Sequence, residues 1–422
     1  MESSRGLGRN FWLFAIGRFI SQLGWAVQDV ALPLYVLDQT HSGSMMTLFI
    51  LAEIIPSIIV MPFAGVVGDR YNRKWLMVGF DLLRGVLLFG VIAFNFLGIY
   101  QLLAVQVVMA ILGSFFSAGT GAMFPDLVDK ELLEKANSTV ASLTIVARLL
   151  GPALGGLIYG IGGIKLAILI NAASFFGSGL FEILIRYEWK AKPIEGLGQV
   201  LSDIKEGVRF IFNHSYLKTL MTFAIFMGIF GAPFGAVLLP YAMREVLKFT
   251  SVQFGLMESF FMGGALLGNV IIAVKFGKKA GRFLFRAMFV NGLVMMVFVW
   301  LISPASNLDR NGAFALLMAV AIVMGVAEAF IDIPIQSKIQ RAVPSEVRGR
   351  VFSALGILTR IATPLGLVLV GPLLNIYPAW LVAFGMWFGM AVVVVYYWVK
   401  YRDVLLKDVG GPLEGEVMNP RP

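Results

Sequence analysis

Long apolar stretches recur along the whole chain and constrain its fold more than any other feature. About 20 apolar residues are enough for one helix to cross a bilayer. Twelve stretches reach that length: 11–37, 46–68, 75–97, 101–123, 137–159, 165–186, 215–243, 251–274, 283–303, 313–334, 351–374 and 379–400. Charged residues make up only 14% of the chain, whereas a water-soluble domain carries about a quarter. The sequence therefore predicts an all-α polytopic membrane protein with twelve transmembrane helices.

The basic residues predict how the chain is oriented in the membrane, because Lys and Arg accumulate in cytoplasmic loops. With the N-terminus in the cytoplasm, 26 of the 34 Lys and Arg fall inside, four fall outside and four lie within spans. This split predicts a multi-pass protein of the inner (cytoplasmic) membrane with both termini cytoplasmic, and it explains the net charge of +9 without a nucleic-acid partner. The start MESSRGLGRN leads into a full span without a small-residue cleavage site, so no cleavable signal is expected.

The longest predicted loop divides the twelve spans into two sets of six. Four regions follow: an N-terminal six-helix bundle (1–186), a cytoplasmic linker (187–214), a C-terminal six-helix bundle (215–400) and a cytoplasmic tail (401–422). Apolar residues of the linker recur at helical spacing, which predicts an amphipathic helix lying on the membrane surface. A shift of 212 residues places Gly65 and Arg148 on Gly277 and Arg360. This match favours a duplicated six-helix unit.

The turn between spans two and three reads GVVGDRYNRK and is unusually rich in charge. Topology alone accounts for its basic residues but not for Asp69. The turn resembles the loop motif of the major facilitator superfamily, although Asn72 stands where the motif usually has its second glycine. The resemblance implies the fold of that superfamily, which has two pseudo-symmetric six-helix bundles and works by alternating access. The matching residues, predicted to belong to a gate, are Gly65, Asp69, Arg70, Arg73 and Lys74.

The fifth span contains ARLLGPALGG, in which small residues recur at the spacing that lets helices approach closely. This stretch resembles the fifth-span motif of the antiporters of the superfamily, meaning its exporters. Ordinary small-residue packing is the alternative. The matching residues are Gly151, Pro152, Gly155 and Gly156.

Two further turns, FPDLVDKELLEKANS and IQRAVPSEVRGRVFS, resemble the branch of the superfamily that contains macrolide and enterobactin exporters. The resemblance covers about residues 11–400 and implies export of an organic compound. The chain departs from the pattern in span four. Exporters of the superfamily often carry an arginine there that assists proton transfer, and Met109 stands in its place. Proton coupling would therefore need other residues.

Span one carries a polar stripe on an otherwise apolar helix. Its members fall at intervals of four, three and four and so share one helical face: Arg18, Gln22, Trp25 and Asp29. Ionisable groups inside a membrane are costly and mark candidate sites. Asp29 is the first candidate for binding a proton or a cationic substrate group. The alternative is a structural Asp paired with Arg18 or with an arginine of another helix.

Span ten carries Glu328 and Asp332 four residues apart, on one helical face. Their spacing predicts a pair of carboxylates whose protonation states are coupled. Two roles are open: a gate that binds Lys338 or Arg341 from the following turn, or contact with the substrate. Further acidic candidates, each with a structural partner as an equal alternative, are Glu53, Glu182 and Glu258.

Other charged residues inside spans are Asp81, Arg84, Arg148 and Arg360. Asp81 and Arg84 are three residues apart, which predicts a local ion pair joined to the charge cluster around Asp69. Arg148 and Arg360 occupy equivalent places in the two halves. They are predicted either to pair with intramembrane acids or to line a cavity.

Asp69 is predicted to hold the cytoplasmic side closed. Its carboxylate is expected against the N-terminus of span eleven, near Arg350, where the helix dipole favours an anion. The second-half copy of the turn has Gly281 at the corresponding place. This closing contact, which we call the latch, should therefore exist in the first half of the chain and have no equivalent in the second half.

The motifs together predict a secondary transporter that exports a small amphipathic, drug-like compound, in exchange for protons. Alternatives are a lipid or lysolipid flippase, a siderophore or metal exporter, and a non-transporting membrane scaffold or sensor. The chain has no cysteine, phosphate-binding loop, metal-ligand cluster or nucleophile motif. We therefore expect no enzyme activity, no cofactor and no bound metal. We also expect the protein to be a monomer in the lipid bilayer.

Overall fold

The computed structural model describes residues 6–189 and 197–406, where all regular secondary structure is helical. Short 3₁₀ and π-helical turns extend or join several of the helices. The long helices are α1 (Arg9–Thr40), α2 (Gly43–Arg70), α3 (Arg73–Ala93), α4 (Ile99–Met123), α5 (Leu133–Ile183), α6 (Leu197–Asn213), α7 (Ser215–Pro233), α8 (Ser251–Ile271), α9 (Leu284–Leu301), α10 (Arg310–Ala342), α11 (Arg348–Ile376) and α12 (Ala379–Leu406).

Within the described residues, ten helical segments are long and apolar enough to cross a membrane. One of them, α5, contains two spans, and α1 adds a further span whose polar face lowers its hydropathy. The predicted all-α fold with twelve membrane helices is thereby confirmed. Helix α10 runs to Ala342, beyond the predicted end at Pro334, which lies inside the helix.

Gly163 divides α5 into a first arm (133–162) and a second arm (164–183). Its φ of +60° and ψ of −159° are a combination that L side chains rarely adopt. A Cβ at this position would meet nothing within 4 Å. The backbone angle, and not crowding, therefore calls for glycine at the turn between these two spans.

Polar side chains cap the N-termini of several helices. The Ser42 hydroxyl accepts the backbone N–H of Met45 at 3.2 Å, at the start of α2. The Asn72 side chain accepts the N–H of Lys74 at 3.1 Å and so caps α3. Each bond satisfies one of the donors that a helix N-terminus leaves unpaired.

Helices α7 and α8 continue as π-helical turns. After Pro233 the chain of α7 passes through π turns at Phe234–Leu238 and Ala242–Val246. After Ile271 the chain of α8 continues as Ile272–Phe276. Such turns are rare and often lie at functional sites.

The described residues form two compact units. The first contains the described residues up to Gly198 together with Met243–Ser259. In it α1 packs along α5, α2 packs against α4, and α3 packs against α4 and α5. A Cβ on Gly24 would collide with the Ser174 side chain. Small residues thus let α1 approach the second arm of α5 closely.

The second unit contains Gln199–Ala242 and the described residues from Phe260 onward. In it α7 packs against α11 and α12, and α9 packs against α10 and α12. Helix α6 contacts the first turn of α11 through ion pairs. Arg350 of α11 pairs with Glu206 of α6 at 2.8 Å and with Asp203 of α6 at 3.4 Å. The predicted amphipathic linker thus contains a helix with a defined partner.

Large apolar side chains remain exposed along many of the helices. The exposed fraction is 83% for Val274, 73% for Val399 and 61% for Ile59. Contiguous apolar surface of this kind is unfavourable in water and is covered by lipid in a membrane protein. The outer faces of these helices therefore suit a bilayer.

Candidate functional site

The polar face of α1 makes specific contacts with neighbouring helices of the first unit. The Gln22 side chain accepts a hydrogen bond from the Thr144 hydroxyl at 3.3 Å. The Trp25 ring meets the Phe175 ring edge-on, with centroids 6.4 Å apart. This face is therefore held in place by α5, and Asp29 itself stays exposed.

Asp29 lies close enough to Glu53 of α2 and Glu258 of α8 to interact with both electrostatically. Glu53 in turn accepts a hydrogen bond from the Gln106 amide at 3.1 Å. We call Asp29, Glu53 and Glu258 the acidic cluster. Among the described residues, Asp29 forms no ion pair with Arg18.

The acidic cluster brings three carboxylates together within membrane-spanning helices. Like charges in such surroundings disfavour each other, so the cluster attracts protons or a cationic group. Spacing along α1 identified Asp29. The sequence offered Glu53 and Glu258 only as isolated candidates, because their approach to Asp29 depends on how three helices pack.

The arginines inside spans differ in their surroundings. Arg18 is half-buried, whereas Arg148 is exposed on the first arm of α5, one turn from Thr144. In the second unit, Arg360 is exposed on α11. None of these guanidinium groups forms an ion pair with a described residue. The predicted pairing with intramembrane acids is therefore not seen here, which leaves the cavity-lining alternative as a prediction.

The two acids of α10 lie in the second unit. Glu328 accepts a hydrogen bond from the Asn291 amide at 3.5 Å and interacts with Asp332. Asp332 is exposed. Lys338, considered above as a gate partner, donates a hydrogen bond to the Leu405 carbonyl. The predicted pairing of Glu328 with Asp332 thus has a structural counterpart, and their role stays a prediction.

The loop motif is built around Arg73. This buried side chain pairs with Asp126 at 2.9 Å and approaches the Gly68 carbonyl at 3.4 Å. Asp126 also accepts a hydrogen bond from the Tyr187 hydroxyl at 2.8 Å. Burial and this carboxylate raise the pKa of Tyr187. Asp126 lies in the FPDLVDK turn, which the sequence singled out by its resemblance to the exporter branch. Its contact with Arg73 depends on the folded structure and could not be predicted from the sequence.

The other described residues of the loop motif make looser contacts than Arg73 does. The Arg70 guanidinium lies 5.9 Å from the Tyr71 ring centre, and the Lys74 ammonium lies 4.9 Å from the Trp75 ring centre. A Cβ on Gly65 would meet nothing within 4 Å. The Asp69 side chain lies outside the described residues, so the predicted latch stays a prediction.

The glycines of the fifth-span motif form two contact surfaces on the first arm of α5. A Cβ on Gly151 would collide with Ala26 of α1, and one on Gly155 would approach Val27 and Val30 of α1. A Cβ on Gly156 would collide with the Ser251 carbonyl of α8. The motif thus gives α5 backbone-level contact with α1 on one side and with α8 on the other.

α8 completes that second contact surface with its own small residues. A Cβ on Gly255 would collide with the Pro152 carbonyl. The Ser259 hydroxyl accepts the backbone N–H of Ala153 at 3.1 Å. The two helices are in backbone contact over more than one turn.

A polar cluster joins the end of α1 to the π-helical turn Ala242–Val246. The Arg244 guanidinium binds Asp38 in a bidentate manner, at 2.5 and 2.8 Å, and donates to the Phe249 carbonyl at 2.8 Å. The Tyr159 hydroxyl donates to Asp38 at 2.8 Å. The sequence does not indicate this pairing, because Asp38 and Arg244 lie in separate segments that only the folded structure brings together.

Twelve membrane helices that carry ionisable groups define a multi-pass membrane protein. The family model described as Major Facilitator Superfamily matches residues 14–367. The chain belongs to this superfamily, so the resemblance and the fold expected from the motifs are confirmed. The chain is therefore a transporter and not an enzyme.

Curated relatives carry the names of efflux proteins. Macrolide efflux protein A of Streptococcus pyogenes is 24% identical over 376 residues, covering 87% of this chain and 90% of the relative. Multidrug efflux pump Tap of Mycobacterium bovis (strain BCG) is 27% identical over 379 residues, covering 86% of each. The crystal structure of nucleoside transporter NupG matches with a TM-score of 0.71 at 14% identity, covering 93% of this chain and 99% of that one. This last match concerns the fold alone.

Proposed function

We propose that this transporter exports a small amphipathic, drug-like compound in exchange for protons, by alternating access. The acidic cluster carries the proposal. Asp29, Glu53 and Glu258 belong to the first unit, where Glu53 and Glu258 act electrostatically on Asp29, and the only cationic residue on the same face of α1 is Arg18. A proton-coupled exporter needs acids that bind either protons or the substrate at membrane depth.

The names of the relatives support the direction of transport and the class of substrate. Macrolide efflux protein A and multidrug efflux pump Tap are both named as efflux proteins and align over most of the chain. Their identities of 24% and 27% fit a shared branch but do not specify one compound. We assign this chain an organic substrate with apolar and polar parts.

In the proposed cycle, Asp29 exchanges a proton for the substrate. Trp25 supplies an aromatic surface one turn before the carboxylate, and Gln22 supplies a polar group about two turns before it along α1. Other groups proposed to contact the substrate or proton on its path are Arg18, Arg148, Arg360, Glu328 and Asp332. Energy comes from the proton gradient, without a cofactor.

Proteoliposomes test this function. We expect an imposed pH gradient to drive movement of a fluorescent lipophilic cation or a macrolide by the purified protein. Asp29→Asn should abolish the gradient-driven component, because the amide cannot exchange a proton. Glu134→Gln, at an exposed position at the start of α5, should leave it unchanged.

Two outcomes would contradict the proposal. Substrate movement that ignores both the pH gradient and Asp29 would rule out proton antiport through this residue. Rapid scrambling of labelled lipid in the same vesicles, without movement of drug, would favour a flippase.

A further inference from the structure

A second group of acids lies in the first unit, apart from the acidic cluster. Asp81 of α3 and Glu182 of the second arm of α5 have exposed fractions of 0% and 1%, and the neighbouring Arg84 has 5%. The Arg84 guanidinium donates a hydrogen bond to Asp81. The Ser178 hydroxyl donates to Glu182 at 3.0 Å.

The face of α3 that carries Asp81 and Arg84 packs against the part of α5 that carries Glu182, because a Cβ on Gly179 would meet Leu82 and a Cβ on Gly85 would meet Phe176. Ionised carboxylates are acceptors only, so two of them cannot form a hydrogen bond. Oδ2 of Asp81 and Oε2 of Glu182 are buried and have no donor among the described residues. A single proton between the two groups supplies the missing donor.

The charges of Asp81, Glu182 and Arg84 also require one bound proton. Arg84 supplies one positive charge, whereas two ionised acids would supply two negative ones. A net negative charge fully removed from water is strongly disfavoured. One proton makes the group of three electrically neutral.

The surroundings hold no second cation for this pair. The Arg84 guanidinium lies between the rings of Phe116 and Phe175, 4.3 Å from each ring centre. From α1, Gly17 packs against Ser178. Arg18 follows Gly17 in sequence, but within the described part of the chain the only charged groups that act on the pair are those of Asp81, Arg84 and Glu182.

We propose that Asp81 and Glu182 form a buried proton-binding site that holds one shared proton. The site is separate from the acidic cluster proposed to couple transport. Ser178 and Arg84 position the two acids, and the proton completes the hydrogen-bonding between them. Its removal leaves an uncompensated buried charge between α3 and α5.

Infrared spectroscopy of the full-length protein in lipid detects the proton directly, because a protonated carboxyl group has a carbonyl-stretch band that a carboxylate lacks. We expect the Glu182→Gln variant to lose one such band at neutral pH. The glutamine amide can donate to Asp81 in place of the shared proton, so this variant should fold. Glu188→Gln, at an exposed position six residues away, should leave the band unchanged.

Thermal unfolding as a function of pH gives a second readout. The folded protein holds a proton that the unfolded chain, with both acids ionised at neutral pH, does not hold. Stability should therefore fall as the pH rises. Glu182→Gln should flatten this dependence, and Glu188→Gln should preserve it.

An unchanged carboxyl band in Glu182→Gln, or an unchanged pH dependence of its unfolding, would overturn the proposal. Neither readout involves transport. A failure here therefore leaves the proposed export function standing, and a failure of proton-driven export leaves this site standing.

Discussion

Arg73 and Arg70 belong to one loop motif but have different physical roles. Arg73 is buried and bound to Asp126, so it joins the turn after α2 to the turn after α4. Arg70 is exposed and lies near the Tyr71 ring. The motif therefore combines a structural anchor with a residue explained by membrane topology alone.

Replacing each arginine separately tests this distinction. Arg73→Ala leaves Asp126 without its cation and opens space at a buried position, which should lower the free energy of unfolding by about 1–3 kcal/mol. Arg70→Ala should change it by less than about 0.5 kcal/mol. Chemical unfolding of both variants in detergent measures the difference. Equal effects would contradict the assignment of Arg73 as the anchor.

At the scale of helices, the fifth-span motif and the cluster around Asp38 both join α1, α5 and the region around α8. The motif does so through backbone contact at Gly151, Gly155 and Gly156, and the cluster does so through charge.

Periodicity predicted each helix, because apolar length and spacing are properties of one segment. The pairs Asp29–Glu53, Asp81–Glu182 and Arg73–Asp126 escaped prediction, because each depends on the packing of separate helices.

Adding one methyl group tests the contact between α5 and α8. Gly156→Ala places a Cβ against the Ser251 carbonyl and should cost about 1–3 kcal/mol of stability through overpacking. Gly90→Ala, on α3 with open space around it, should be neutral or slightly stabilising. Thermal unfolding in detergent compares them. A destabilised Gly90→Ala alongside an unaffected Gly156→Ala would refute the packing role.

The Asp38–Arg244 pair can be measured by a double-mutant cycle. Asp38→Asn and Arg244→Gln should each destabilise the protein, and the double variant should lose less than the sum. The bidentate geometry predicts a coupling energy of about 0.5–3 kcal/mol. Tyr159→Phe keeps the ion pair and should have a smaller effect. Strict additivity of the two single variants would show that the pair contributes no coupling.

At the scale of the molecule, the proposed function is proton-driven export, and both termini are predicted to lie in the cytoplasm. The distribution of Lys and Arg predicts this orientation. The absence of cysteine from the sequence allows single-cysteine labelling without further changes. Glu131→Cys should react with a membrane-impermeant reagent only from the cytoplasmic side, and Asn307→Cys only from outside. The reverse pattern in intact cells would mean that the orientation is inverted.

The proposed exchange of protons for substrate at Asp29 is tested most directly by following the proton itself. Purified protein in proteoliposomes containing a trapped pH-sensitive dye is given substrate on one side, without a preset pH gradient. Substrate movement by the unmodified protein should drive proton movement in the opposite direction. The Asp29→Asn variant should bind substrate without moving protons, and Glu134→Gln should behave like the unmodified protein. Substrate movement without any proton counterflow, or proton counterflow undiminished in Asp29→Asn, would contradict the account.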